Sequence, residues 1–398
     1  KLGYLKNKEF NEMAIPREQK KNKILLINVL LICYMYIATI GNYLGLPTDF
    51  LALGEKRIYL ICTILILGLI PIVTSRKIYF NGTILSGLFL TIYMIIMGVN
   101  YNENPLSWFS CVAVWIMIIT ILYNLKSSSR EKQLYYNILC IITIIISMLY
   151  IIGMTSWNVS KTVEGNNSIY YILTGMAFAF STYNSKLEII TLLITSAAIL
   201  ISTKVICIIA MLIIWSSVIY RKGWSVVQVL KSIIGMVILA FFLWHIIKQF
   251  VVFNKFTDVF LSIFDKFNSG GSGRSEIYIG IIELLGKSSG SELLFGHGYN
   301  AIDRILYIGS HNDFLMVLYN YGLIGLGLYL IFFIQLIKDF VRLRQQDSPY
   351  AFAFGISLVI FLCISMTSNV LNTQIQFLLL CVFWGMVMPK REEITNAK

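Results

Sequence analysis

The chain has 398 residues, 57% of them hydrophobic and only 13% charged, with a formal net charge of +12. A soluble domain carries about 25% charged residues, so this composition excludes an ordinary water-soluble enzyme, a disordered chain and a secreted disulfide scaffold. Apolar runs of bilayer-crossing length recur from end to end, which marks an all-α polytopic membrane protein.

Residues 1–23 are polar and basic, lack an apolar core and read as a cytoplasmic tail with no cleavable signal. Runs long enough to cross the bilayer at about 1.5 Å per residue follow at 24–46, 58–75, 78–98, 107–125, 134–154, 169–184, 187–203, 205–220 and 227–249. A second, shorter external loop, Thr155 to Ser168, separates the fifth and sixth of these nine spans. The stretch 250–312 then breaks the pattern, being amphipathic, expected on the outer side and long enough for a small subdomain. Within it a Gly/Ser-rich turn, 268–273, precedes Arg274-Ser275-Glu276, and the apolar patterning to Leu285 predicts a helix lying at the membrane interface. Loops of this length are uncommon in compact proteins and tend to carry function. Three more runs, 313–337, 350–368 and 374–388, bring the expected spans to about twelve, and 389–398 forms a second cytoplasmic tail.

The placement of the bases sets the expected orientation. With the N-terminus inside, 22 of the 32 Lys and Arg fall on inner segments, and six of the other ten lie in or beside the long loop. Long loops do not count in the positive-inside rule, so the split over short loops is 22 against 4 and puts both termini inside. A nucleic-acid partner would need these bases on one face with aromatics between them; they sit instead at helix ends facing anionic lipid. Cys33, Cys62, Cys111, Cys140, Cys207, Cys363 and Cys381 all fall in apolar runs without CxxC spacing, and read as small buried hydrophobes with no disulfide or metal cluster expected.

Acidic residues are missing from the interiors of the predicted spans, with Glu188 and Asp339 at their ends. Proton- and sodium-coupled transporters rely on such mid-membrane carboxylates. The chain places isolated cations at the outer rim instead. Lys204 stands at the outer turn between two short apolar runs, where the plainer reading is a snorkelling lysine. Arg274 opens a helix after a glycine-rich turn, so a guanidinium and free backbone N–H groups together suit a phosphate; its plainer reading is a pair with Glu276 or Asp265. Of the three histidines, His245 lies in an apolar span and reads as a packing residue. His297 sits in the tight turn Gly296-His297-Gly298, where the glycines shape the backbone. His311, in Ser310-His311-Asn312-Asp313, stands where the chain re-enters the membrane. An imidazole with a pKa near 6.5 takes a proton from a hydroxyl at neutral pH; the plainer reading is that Ser310 or Asn312 merely caps the helix.

Gly296-x-Gly298 followed by Ser310-His311-Asn312-Asp313-Phe314-Leu315 and by Leu318-Tyr319-Asn320-Tyr321-Gly322-Leu323-Ile324-Gly325 resembles the Wzy-type polysaccharide polymerases and O-antigen ligases. Ser272-Gly273-Arg274 and Glu164-Gly165-Asn166-Asn167-Ser168 are similar to further motifs of that family, and Lys204 stands where the family often has Ser-Arg, keeping the charge. The resemblance covers residues 160 to 340, while the N-terminal half matches in hydropathy alone. It implies a GT-C-like integral membrane glycosyltransferase of the bacterial cytoplasmic membrane, using no metal, cofactor or nucleotide. Donor and acceptor would be glycans on undecaprenyl pyrophosphate, with a chain-length regulator and a flippase as candidate partners. On this resemblance His311 is the general base, Arg274, Lys204 and Arg304 meet the pyrophosphate, and Asn312, Asp313, Asn166, Asn167 and His297 support them. Asp313 would either orient His311 or pair with a cation, and Tyr278, Tyr299 and Tyr307 would stack on sugars or anchor the loop at the interface. An O-antigen ligase passing the glycan to lipid A core or another terminal acceptor is the nearest alternative. A lipid-linked oligosaccharide flippase is a more distant one, because repeat symmetry and mid-membrane polar groups are both missing.

Overall fold

The structure, a computed structural model, describes residues 26–38, 56–75, 78–99, 105–125, 128–156, 167–202, 204–223, 274–307, 309–371 and 374–389. Outside the described residues lie both expected tails except Pro389, the expected span 227–249 with His245, the loop stretch 250–273, and Asn166. All regular structure among the described residues is helical. In chain order the helices are α1 (Leu26–Ala38), α2 (Lys56–Ser75), α3 (Gly82–Gly98), α4 (Pro105–Asn124), α5 (Ser129–Ser156), α6 (Ile169–Ala179), α7 (Ser185–Ser202), α8 (Val205–Lys222), α9 (Arg274–Lys287), α10 (Gly290–Phe295), α11 (Ala301–Leu306), α12 (Asp313–Gln345), α13 (Ala351–Ser365) and α14 (Gln374–Val387). Four of them, α5, α7, α8 and α12, are long and apolar enough to cross a membrane.

Local chemistry sets the helix ends. The Asn81 side chain accepts from Ile84 N–H at 2.8 Å and starts α3. Asn184 does the same for α7, accepting from Lys186 and Leu187 N–H. α8 stops at Gly223, which takes φ 58, after Arg221 and Lys222 have placed positive charge in the last turn. Two expected spans change shape. The run 169–184 gives only the 11 residues of α6, because Gln133 of α5 takes over the backbone beyond it, donating to Ser181 O and accepting from Tyr183 N–H. The run 313–337 extends to Gln345 and breaks at Gly322, whose φ 66 and ψ −170 leave the helical region.

Every residue of α6 is buried, and α5, α7, α13 and α14 pack around it. The packing is aromatic and close. Trp384 meets Phe332 and Phe361 edge-on, and Phe383 meets Phe178 in the same way. Gly87 lies against Ile116, Gly175 against Thr143 and Gly385 against Leu122, each too near for a Cβ without displacement. Small residues at helix crossings are how membrane helices gain contact without a hydrophobic driving force. The outward surface is apolar too. Leu134, Ile141, Ile145, Met148 and Ile152 line one exposed face of α5, and Leu330, Ile331, Ile334, Ile337 and Val341 one face of α12. In water such faces would drive association; they are the surface that lipid covers. Cys62 is exposed on this surface, in contrast to the burial expected of every cysteine, because α2 turns it outward.

The bundle has two chemically different ends. At one, Thr83 donates to Asp339 at 2.6 Å, Arg342 pairs with Asp339 at 3.0 Å, and Lys222 pairs with Glu188 at 3.1 Å. At the other, the Tyr93 hydroxyl donates to the carbonyls of Phe295 and Tyr321 at 3.1 Å and ties α3 to α10 and α12.

Candidate functional site

The glycine motifs meet at that second end. Gly296 (φ 88) and Gly322 (φ 66) face each other so closely that a Cβ on Gly296 would overlap the Asn320 carbonyl, and one on Gly322 the Leu294 carbonyl. The break in α12 frees carbonyls that the loop then uses: His297 N–H donates to Tyr319 O at 3.1 Å and Gly298 N–H to Asn320 O at 2.8 Å. Asn320 also accepts from Ile302 N–H at 3.2 Å, supplying α11 with the cap that Asn300, in the left-handed region, does not give. The two glycine-containing strings are therefore one joint, locking α10 and α11 onto the head of α12.

His297 belongs to this joint. Its ring stacks on Tyr319 with centroids 4.2 Å apart, Nε2 lies 2.9 Å from Ser288 Oγ and Nδ1 3.7 Å from Glu292. Arg304 stays on the same side, donating to Tyr299 O at 3.4 Å.

A second group, drawn from four separate parts of the sequence, surrounds His311. Lys204, in the turn between α7 and α8, donates from Nζ to Asn167 Oδ1 at 2.9 Å, just ahead of α6. Its ammonium also lies 5.9 Å from the centre of the Tyr170 ring. Arg274 opens α9. Partial burial, then the charges of Arg274 and Lys204, push the His311 pKa below the ordinary histidine value, so the imidazole is neutral at neutral pH. His311 has φ 49, a conformation in which histidine is enriched but which still costs backbone energy.

The turn after α13 holds that conformation. Tyr278 of α9 donates to His311 O at 3.2 Å and to Met366 O at 3.4 Å. Asn312 caps α12 by accepting from Leu315 N–H at 3.1 Å and donates to Met366 O at 3.4 Å. Ser310 is buried and donates to Asn369 Oδ1 at 2.6 Å. Asp313 is wholly buried; Leu371 N–H donates to one of its oxygens at 3.3 Å and the Tyr329 hydroxyl to the other at 3.4 Å. Neither His311 nor a cation is among these partners, so Asp313 anchors the turn rather than the imidazole.

Of the residues the sequence singles out, Lys204, Arg274, His311, Asn167 and Asn312 come together. Arg304 and His297 sit in the neighbouring joint, and Asp313 lies beneath. Glu276 makes no ion pair with Arg274 among the described residues. Three contributors carry no sequence signal: Tyr170, hidden in an apolar run, and Met366 and Asn369, which fit no spacing rule. Tyr278 is visible as an aromatic in the loop, and its hydroxyl donates to the His311 and Met366 carbonyls, a contact that its spacing does not signal.

An all-α bundle with a lipid-compatible surface and with Lys204, Arg274 and His311 grouped at one end defines the class, a helical membrane protein with a polar site at that end. No protein-family model matches the chain, and no curated protein matches it.

Proposed function

We propose that this protein is a Wzy-type polysaccharide polymerase of about twelve spans and GT-C-like build, in a bacterial cytoplasmic membrane with both termini in the cytoplasm. The observation that carries the proposal is the assembly of Lys204, Arg274 and His311 at one end of a bundle whose outward faces are apolar. Donor and acceptor are glycans linked to undecaprenyl pyrophosphate. The acceptor hydroxyl oxygen attacks the anomeric carbon of the donor, and the carbon–oxygen bond to the pyrophosphate breaks, leaving its electron pair on the phosphate oxygen. His311 takes the hydroxyl proton as general base. Lys204 and Arg274 stabilise the charge growing on the leaving group, and attack from the face opposite it inverts the anomeric configuration. General-base and electrostatic contributions of this kind are each worth about 10² to 10³ in rate.

The test is to give the purified protein one lipid-pyrophosphate repeat unit and nothing else. Dimers and longer oligomers are expected on a gel of the released glycans, because the same molecule serves as donor and acceptor. Transfer seen only after adding lipid A core would make the protein a ligase.

A further inference from the structure

Tyr170, on the first turn of α6, is 1% exposed, and its hydroxyl has no hydrogen-bond partner. Burying an unpaired hydroxyl is costly, and phenylalanine would fill the same space without that cost. Tyr136 shares this orphaned state, but the titratable groups acting on it are the tyrosines Tyr183 and Tyr350. Tyr170 differs in its company. Lys204 Nζ is 5.9 Å from its ring centre, and Arg274 and Thr367 stand near its hydroxyl. Lysine and arginine can only donate. Thr367 donates to Cys363 O at 3.1 Å, so its oxygen is a neutral acceptor near the phenol, but not one that the Tyr170 hydroxyl bonds. The hydroxyl thus lies beside two cations with no hydrogen bond made, on the turn that carries the positive end of α6. An anionic oxygen supplies what is missing.

We propose that the Tyr170 hydroxyl is a direct binding group for the diphosphate, donating to one of its oxygens while Lys204 and Arg274 neutralise its charge. This rests on the pyrophosphate reading of the site, and adds to it a neutral donor from the central helix. Binding repays the cost of the buried hydroxyl, so the free protein is left slightly destabilised at this point.

Tyr170→Phe in the full-length purified protein tests it, with farnesyl diphosphate as probe and farnesol as the phosphate-free control. The variant is expected to melt at or above the wild-type temperature without ligand, which also shows that it folds. Its affinity for farnesyl diphosphate should fall about tenfold, the loss of one hydrogen bond to a charged group, with farnesol binding unchanged. Wild-type affinity for farnesyl diphosphate in Tyr170→Phe, alongside weakened binding in Lys204→Gln and Arg274→Gln, would remove Tyr170 from the site and leave the diphosphate reading standing. Failure of the wild-type protein itself to bind the probe would overturn both.

Discussion

His311 combines two properties seldom found together in one residue, a left-handed backbone and a ring whose pKa burial and two nearby cations push down. The first is held by Tyr278, Ser310 and Asn312 through the turn after α13, and the second follows from burial and from Arg274 and Lys204. The sign of the pH dependence follows. A base works when deprotonated, so activity should rise with pH through a value below the ordinary histidine pKa of about 6.5 and be flat above it. Replacing Lys204 by Gln removes one of the charges that depress this pKa. The acid limb should then move to higher pH, while the plateau falls through loss of the leaving-group contact. A pH–rate profile of both proteins checks this, and an unmoved limb would show that Lys204 does not act on His311. His311→Ala should lower chain extension about 10²-fold or more with membrane insertion unchanged.

Among the elements, the joint between α10 and the break in α12 concentrates the steric demand. Gly296 and Gly322 both need positive φ, and each backbone fills the space a Cβ would take on the other. A non-glycine residue in such a conformation costs about 1–3 kcal/mol before any clash. Gly296→Ala and Gly322→Ala should therefore each lower the melting temperature in detergent and loosen α10 and α11. Gly327→Ala, also in α12 but with open space around it, should be neutral or gain up to about 1 kcal/mol of helix propensity. The Gly296-x-Gly298 and Asn320-Tyr321-Gly322 strings were visible in the sequence, since glycine at fixed spacing is a backbone signal. Their mutual contact was not, because nothing local says that two turns 26 residues apart will interlock. The same limit applies to α6: hydropathy gives the apolar run 169–184 but not where the helix stops, which Gln133 of another helix decides.

At the scale of the whole molecule, the charges divide between the two ends of the bundle. Lys222, Lys338, Arg342 and Arg344 belong to the end where Asp339 and Glu188 are paired, while Lys204, Arg274 and His311 share the other. Charge placement along the sequence already separated these groups, since bases flanking an apolar run must lie where the run emerges. It could not bring Lys204, Arg274 and His311 to one spot, which takes the packing of α7 and α8 against α6, of α8 and α12 against α13, and of α9 against α12. If the basic end faces the cytoplasm, the site opens outward. Cysteines introduced at Ser291 in α10 and at Gln346 beyond α12, both exposed, report the two sides. In a background lacking the native Cys62, an impermeant thiol reagent added to intact cells should label Ser291→Cys and spare Gln346→Cys until the cells are lysed. The reverse pattern would put Lys204, Arg274 and His311 on the cytoplasmic side and overturn the proposed orientation and, with it, the proposed reaction on the outer side.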